Sequence, residues 1–387
     1  MQLVHVQLVN LKLVHLKFEE LTDEVRGAWW SIIDRYPGTH LSHTPDWVDA
    51  CRQSGRRIES FGLRDEDGWL GFLNIQVGRD AMQFTVADRP WMSFRMTNAE
   101  IAYPRWPVPN DRGVYQLILT QIMEAVPELD GIRFDALPED DPLWEFLDKD
   151  PSDSGGIVHS PKQVSRRHQV LTGHAPIKRP QNFRKKEKRV ERDLGPVRVE
   201  ACRKAEDVPR FIEAAKAIFE KSWQFKDLGP SLWLCELAML TALATTDHLA
   251  CYLLFAGDQA VAFDLGFVFN GLYYRMETAF DSKFAYYSPG MIGLYYYLDE
   301  AFADPREVKI YDFGHGHYDY KAKLSHQVVR ERFATVYRKR LKFAILVRMH
   351  ALWVGLYDGM KDLLTSRGWD EKIRRLVKGK PGIPAKA

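Results

Sequence analysis

The sequence predicts an α/β (α+β) protein built from two similar units in tandem, followed by a C-terminal helical segment. Each half of the chain runs through the same order of elements: helix, helix, hairpin, helix, strand. A stretch rich in Pro, Ser, Asp and Gly, from Asp150 to Pro161, separates the halves. With 387 residues, 45% of them hydrophobic, the chain can bury more than one core. The halves correspond in element order and not in residue identity.

Residues 1–18 carry an approximate five-residue repeat, Gln2–Val6, Gln7–Leu11 and Lys12–Leu16. His5, Asn10, Lys12 and His15 interrupt it too often for a secretory leader or a membrane span, so it reads as a β-prone extension. The first unit spans residues 19–160. Helical periodicity at Thr22–Arg35 and Pro45–Gln53 precedes strand-like Ser60–Arg64 and Leu70–Val77, joined by a turn through Asp67 and Gly68. A helix from about Asp111 to Val126 then leads into the strand Gly131–Leu137.

The second unit spans residues 161–342. Its helices are expected at Val208–Trp223 and Ser231–Ala244, and its first two strands at His248–Phe255 and Gln259–Phe269. Asn270 and Gly271 turn the chain into a third strand, Leu272–Phe280. By alternation Tyr273, Arg275 and Glu277 share a face there, so Glu277 is expected to pair with Arg275. A helix from about Gly290 to Phe302 leads into the strand Val308–Phe313. Residues 343–387 begin with apolar Phe343–Tyr357, which contains Arg348 and His350 and is too short to span a membrane. It reads as a helix packed on the second unit, followed by a basic tail with Arg374, Arg375, Lys378 and Lys380 that can meet an anionic membrane surface.

A net charge of +2 provides no global field to recruit nucleic acid, so anions must be held by local clusters. Cys51, Cys202, Cys235 and Cys251 lack paired metal spacing, which predicts reduced thiols, a cytoplasmic protein and no metal site. The one strong basic run is Lys178, Arg179, Arg184, Lys185, Lys186, Lys188, Arg189 and Arg192. At helical spacing it forms either a solvated face or a phosphate-binding face, and Phe183 is too solitary an aromatic for nucleic-acid stacking.

Ile310–Lys321 is the segment richest in chemistry. It opens as a strand and ends in a loop where Gly314 and Gly316 bring His315, His317, Asp319, Tyr320 and Lys321 together. Upstream, Pro289 and Gly290 open an aromatic-rich helix whose first-turn N–H groups and dipole suit a pyrophosphate.

The second half resembles the acyltransferase domain of the GNAT superfamily, in its FemAB-like, CelD-type branch of polysaccharide and cell-envelope biosynthesis. The residues that carry the likeness are Asn182 to Lys186, Ser222 with Trp223, Tyr274 with Asp281, Tyr287 to Gly290, Asp312 to Gly314, and Tyr320 with Lys321. They follow the family's order over roughly residues 165 to 340, whereas the first half resembles it only through Leu41–Trp47 and the element order. The resemblance implies tandem GNAT-like domains, each a mixed, mostly antiparallel sheet flanked by helices. Family members commonly have an arginine and acidic residues where this chain has His315 and His317, a departure that bears on substrate identity more than on reaction class.

The same resemblance implies that Ser288, Pro289, Gly290, Met291 and Ile292 hold acetyl-coenzyme A or another acyl-coenzyme A. The acceptor is then an amine on a small-molecule or lipid-linked sugar, at the inner membrane face if the basic tail engages lipid. Such an amine must lose a proton as it attacks, and Asp312 and His317 are both candidates for the base. Tyr320 would donate to the leaving thiolate, and Lys321 would bind a phosphate or carboxylate. Asn182, Arg184, Trp223, Tyr274 and His315 would shape the acceptor site. A FemAB-like transferase using charged tRNA and a non-catalytic scaffold subunit stand as alternatives.

Overall fold

The computed structural model describes residues 10–36, 38–86, 89–102, 105–160, 164–172, 178–314, 316 and 318–366. The first unit comprises β1 (Lys12–Leu16), α1 (Asp23–Arg35), α2 (Pro45–Gln53), β2 (Ile58–Arg64), β3 (Trp69–Val86), β4 (Arg89–Ala102), α3 (Arg112–Ala125), β5 (Gly131–Pro138) and α4 (Pro142–Lys149). Strands β6 (Ile157–His159) and β7 (Val164–Leu171) lead to α5 (Phe183–Leu194), β8 (Val197–Cys202), α6 (Val208–Phe219), α7 (Trp223–Leu228) and α8 (Leu237–Thr245). Then come β9 (Leu249–Ala256), β10 (Gln259–Phe269), β11 (Leu272–Phe280), α9 (Pro289–Phe302), β12 (Ile310–Asp312), α10 (Asp319–Leu324), β13 (Gln327–Tyr337) and α11 (Leu341–Ser366).

Among the described residues the strands form one sheet in the order β1-β2-β3-β4-β5-β13-β7-β12-β11-β10-β9-β8, with β6 also on β13. Most neighbours are antiparallel. In each unit one pair is parallel, β4 with β5 and β11 with β12, and a helix makes the crossover, α3 in the first unit and α9 in the second. This repeated crossover is the tandem relation expected from element order. The units do not keep separate sheets, because β13 pairs with β5 on one side and with β7 on the other.

Local chemistry accounts for the element boundaries. Thr44 caps α2 through Trp47 N at 3.2 Å, and Asp111 caps α3 through Gly113 N at 2.8 Å. The helix expected over Val208–Trp223 stops at Phe219. Ser222 Oγ donates to the Phe219 carbonyl at 2.6 Å and accepts from Phe225 N at 3.2 Å, so one serine ends α6 and caps α7. The strand expected over Leu70–Val77 runs on to Val86 and pairs with β4.

The units share a core. Trp29, Ile32 and Trp47 of α1 and α2 pack in one cluster with Phe263, Leu265 and Phe267 of β10. His248 meets Asp46 at 2.9 Å and Arg56 meets Glu236 at 3.0 Å across the same junction. Residues 12–16 of the repetitive segment form the edge strand against β2.

Helix α11 docks on the far end of the β3–β4 hairpin of the first unit and not on the second unit as expected, because the apolar partners Met82, Phe84 and Met96 lie there, beside Phe343 and Tyr337. His350 of α11 donates from Nε2 to the Gln83 carbonyl at 3.1 Å and lies edge-on to His159, 4.9 Å between ring centroids. Burial, aided by the neighbouring imidazole, pushes His159 down to about 4, and burial also lowers His350. Both rings are therefore neutral when docked. Their contribution is complete above the ordinary histidine value of 6.5 and is lost as pH falls from there towards 4. A red shift of Trp353 emission is expected across that window, and an unchanged spectrum would contradict it.

Candidate active site

Strands β11 and β12 run in parallel for only three pairs, Leu272 with Ile310, Tyr273 with Tyr311 and Tyr274 with Asp312. Beyond them β12 ends, whereas β11 continues to Phe280 with β10 alone beside it. Gly314, at φ +71°, turns the chain away, and a Cβ there would stand 3.2 Å from the Arg275 carbonyl. The strands thus diverge, and a cavity of about 870 Å³ fills the gap.

Arg275 to Phe280 of β11 form one wall, and Ser288, Gly290, Met291 and Leu294 at the start of α9 form the second. Phe313, Gly314, Tyr318, Tyr320 and Lys321 close the inner side, while Phe219, Trp223, Gln224 and residues 229–233 make the mouth. Ser288 sits in the left-handed region, φ 56° and ψ 48°, a conformation that a non-glycine residue adopts at a cost. Its carbonyl accepts the N–H groups of Met291 and Ile292, each at 3.1 Å. Pro289 has no N–H, so Gly290 supplies the first-turn donor still available to an anion.

Glu277 is the only carboxylate among the described lining residues. Alternation placed it beside Arg275; the structure places it on the other face. A bulge at Met276 shifts the register, so Arg275 stands opposite Gly266 and Glu277 opposite Leu265. Ser231 Oγ donates to Glu277, and burial raises the Glu277 pKa against that hydrogen bond. Arg275 pairs instead with Asp264 at 2.5 Å, and Asp264 also accepts from the hydroxyls of Tyr273 at 2.8 Å and Tyr311 at 2.5 Å. That buried acid is thus fully engaged in seating Arg275 at the cavity wall.

Asp312 does not line the cavity. Its buried carboxylate meets Arg167 Nη1 at 3.0 Å and accepts from Gln169 Nε2 at 3.1 Å and Gly314 N at 2.7 Å. Arg167 also pairs with Glu331 at 2.6 Å, which links β7, β12 and β13 beneath the loop. Arg167→Ala leaves two buried carboxylates short of a cation and is expected to lower stability by about 3–5 kcal/mol, read as a reduced denaturant midpoint. A loss under about 1 kcal/mol would contradict that bracing role.

Of the other candidate residues, Tyr320, Lys321, Trp223, Ser288, Gly290 and Met291 line the cavity. Burial raises Tyr320, and burial, with Arg275 adding to it, lowers Lys321 to about 8. Lys321 Nζ donates to the Gly314 carbonyl at 3.3 Å. Pro289 and Ile292 are buried on the opposite side of α9, near Val190 and Leu194. Tyr274 is buried with its ring 4.1 Å from that of His40. Asn182 and Arg184 are exposed at the start of α5, which packs on α9 through Phe183 and Tyr295 at 5.2 Å. Further along α5, Arg189 stacks on Tyr286 at 4.6 Å, two residues before Ser288. His315 and His317 lie outside the described residues.

Alternation assigns Glu277 to a pair with Arg275 and not to the site, and no local pattern points to Ser231 or Trp233. The bulge that re-aims Glu277 has no local signal beyond Gly266, whose missing Cβ makes room for the Tyr273 ring.

Residues 178–322 match the family model described as an acetyltransferase (GNAT) domain. No curated protein matches the chain in sequence. Among solved structures the chain is similar to FemX, at 11% identity, covering 86% of this chain and 99% of that one with a TM-score of 0.56. It is similar to a tandem GNAT protein from the clavulanic acid biosynthesis pathway, at 12% identity, 86% and 99% coverage and a TM-score of 0.52. It is also similar to L-PGS from Bacillus licheniformis, at 13% identity, 85% and 96% coverage and a TM-score of 0.51. At these identities the likeness is one of fold. With its two parallel-pair crossovers, the chain shares the tandem fold of these structures, and its residues 178–322 match an acetyltransferase (GNAT) domain.

Proposed function

We propose that the protein is an N-acyltransferase that moves an acyl group from acyl-coenzyme A, acetyl-coenzyme A foremost, to an amine of a sugar in an envelope or exopolysaccharide precursor. One observation carries this reading: a single cavity joins the first turn of α9 at Gly290 to the carboxylate of Glu277.

The residues present fit such a donor. A Cβ on Gly290 would stand 3.1 Å from Phe280, so the glycine keeps open a space beside the helix start where a phosphate can approach. Ser288, Gly290 and Met291 would hold the pyrophosphate, with Arg189 of the basic run close by. The edge of β11 left unpaired beyond Tyr274 offers backbone groups to an extended, amide-bearing arm. When bound, the donor supplies a thioester carbonyl activated for attack.

Glu277 accepts the proton of the attacking amine. Its raised pKa brings a carboxylate nearer to neutral working conditions, and Ser231 fixes its orientation. Tyr320, kept protonated by burial, serves as the donor to the leaving thiolate. Lys321, still mostly cationic at neutral pH, meets a phosphate or carboxylate of the acceptor. Trp223, Leu232 and Trp233 at the mouth offer flat, apolar surfaces to a sugar ring or its lipid carrier. Asp312 is a positioning residue that holds the Gly314 turn. Reduced cysteines and a coenzyme A donor both point to the cytoplasm.

Thiol release from acetyl-coenzyme A, measured over a panel of amino sugars and their phosphorylated forms, tests the reading. Amine-dependent release is expected. No release with any amine, alongside transfer from charged tRNA, would overturn it.

A further inference from the structure

Helix α11 is apolar on two faces, and among the described residues only one of them is covered. Phe343, Leu346, Val347 and Trp353 pack on the β3–β4 hairpin. Leu341, Ile345, Met349, Leu352, Leu356 and Met360, spaced four, four, three, four and four residues apart, form a second stripe that is 43 to 78% exposed. Ala351, Gly355 and Gly359 run alongside it at i, i+4 and i+8, all exposed, and a Cβ on either glycine would meet nothing within 4 Å.

We infer that this stripe is a homodimer interface, occupied by α11 of a second copy of the chain. At ordinary side-chain sizes the exposed part of the six residues comes to roughly 700 Å² per copy, close to the ~800 Å² that each partner of a standard-size interface buries. A monomer seldom leaves an apolar patch of that extent uncovered. The three small residues let two helix backbones approach closely, which a membrane surface or a loose peptide would not require.

The contact is isologous and closes on itself, so it yields a dimer and not a filament.

Analytical ultracentrifugation of the full chain tests the inference. The wild type is expected to sediment at about twice its 44.8 kDa, and Leu352→Glu with Leu356→Glu to sediment as a monomer with unchanged far-UV circular dichroism. A monomeric wild type would overturn the inference, and so would a dimer that survives both leucine substitutions. So would a wild type that is monomeric in solution but pellets with phosphatidylglycerol and phosphatidylcholine vesicles. None of these results bears on acyl transfer, because no described residue of α11 lines the cavity.

Discussion

Glu277→Gln is expected to lower kcat by roughly 10²- to 10⁴-fold while leaving acyl-coenzyme A affinity nearly unchanged. The substitution keeps the shape of the side chain and its contact with Ser231 but removes the proton acceptor. A second readout separates this from a structural loss. Because burial raises Glu277, the wild-type rate should climb with pH through an apparent value above the ordinary carboxylate 4.5, and that acid limb should vanish in the variant. An unchanged kcat, or an acid limb that persists, would place the base elsewhere.

Gly290→Trp is expected to abolish acyl-coenzyme A binding, seen as loss of calorimetric heat, with the thermal midpoint little changed. The indole would occupy the space between Phe280 and the start of α9 and cover the Gly290 N–H. The milder Gly290→Ala meets Phe280 at a tight 3.1 Å and should weaken binding without removing it. Full affinity in the tryptophan variant would mean that the donor enters by another route.

The fold was legible wherever periodicity was local. The expected helices Thr22–Arg35 and Pro45–Gln53, the hairpins around Asp67 and Asn270, and the crossover helix near Gly290 stand within a few residues of their predicted limits. Strand β13 has no counterpart among the expected elements, and its charged run Arg330, Glu331 and Arg332 carries no local strand signal. Glu331 is buried against Arg167, a residue more than 160 positions away. β4 was not assigned either, although Met92, Phe94 and Met96 alternate along it and pack beneath α11.

The candidate site divides along the same line. The glycines and the helix start were readable, since local backbone geometry demands them. Gly290, Ser288 and Tyr320 therefore stand at the cavity. Asp312 is attractive because it stands at the family's motif position beside a glycine-punctuated loop. Its carboxylate is engaged by Arg167 and Gln169, long-range partners that spacing alone cannot reveal. Glu277 was discounted because strict alternation ignores a bulge, and one extra residue carried it to the opposite face.

The most direct test is a crystal structure of the chain grown with coenzyme A. Density is expected with the pyrophosphate at the Gly290 N–H and the thiol end inside the cavity that holds Glu277. Coenzyme A bound elsewhere on the molecule, or with its sulfur cut off from Glu277, would contradict acyl transfer at this site.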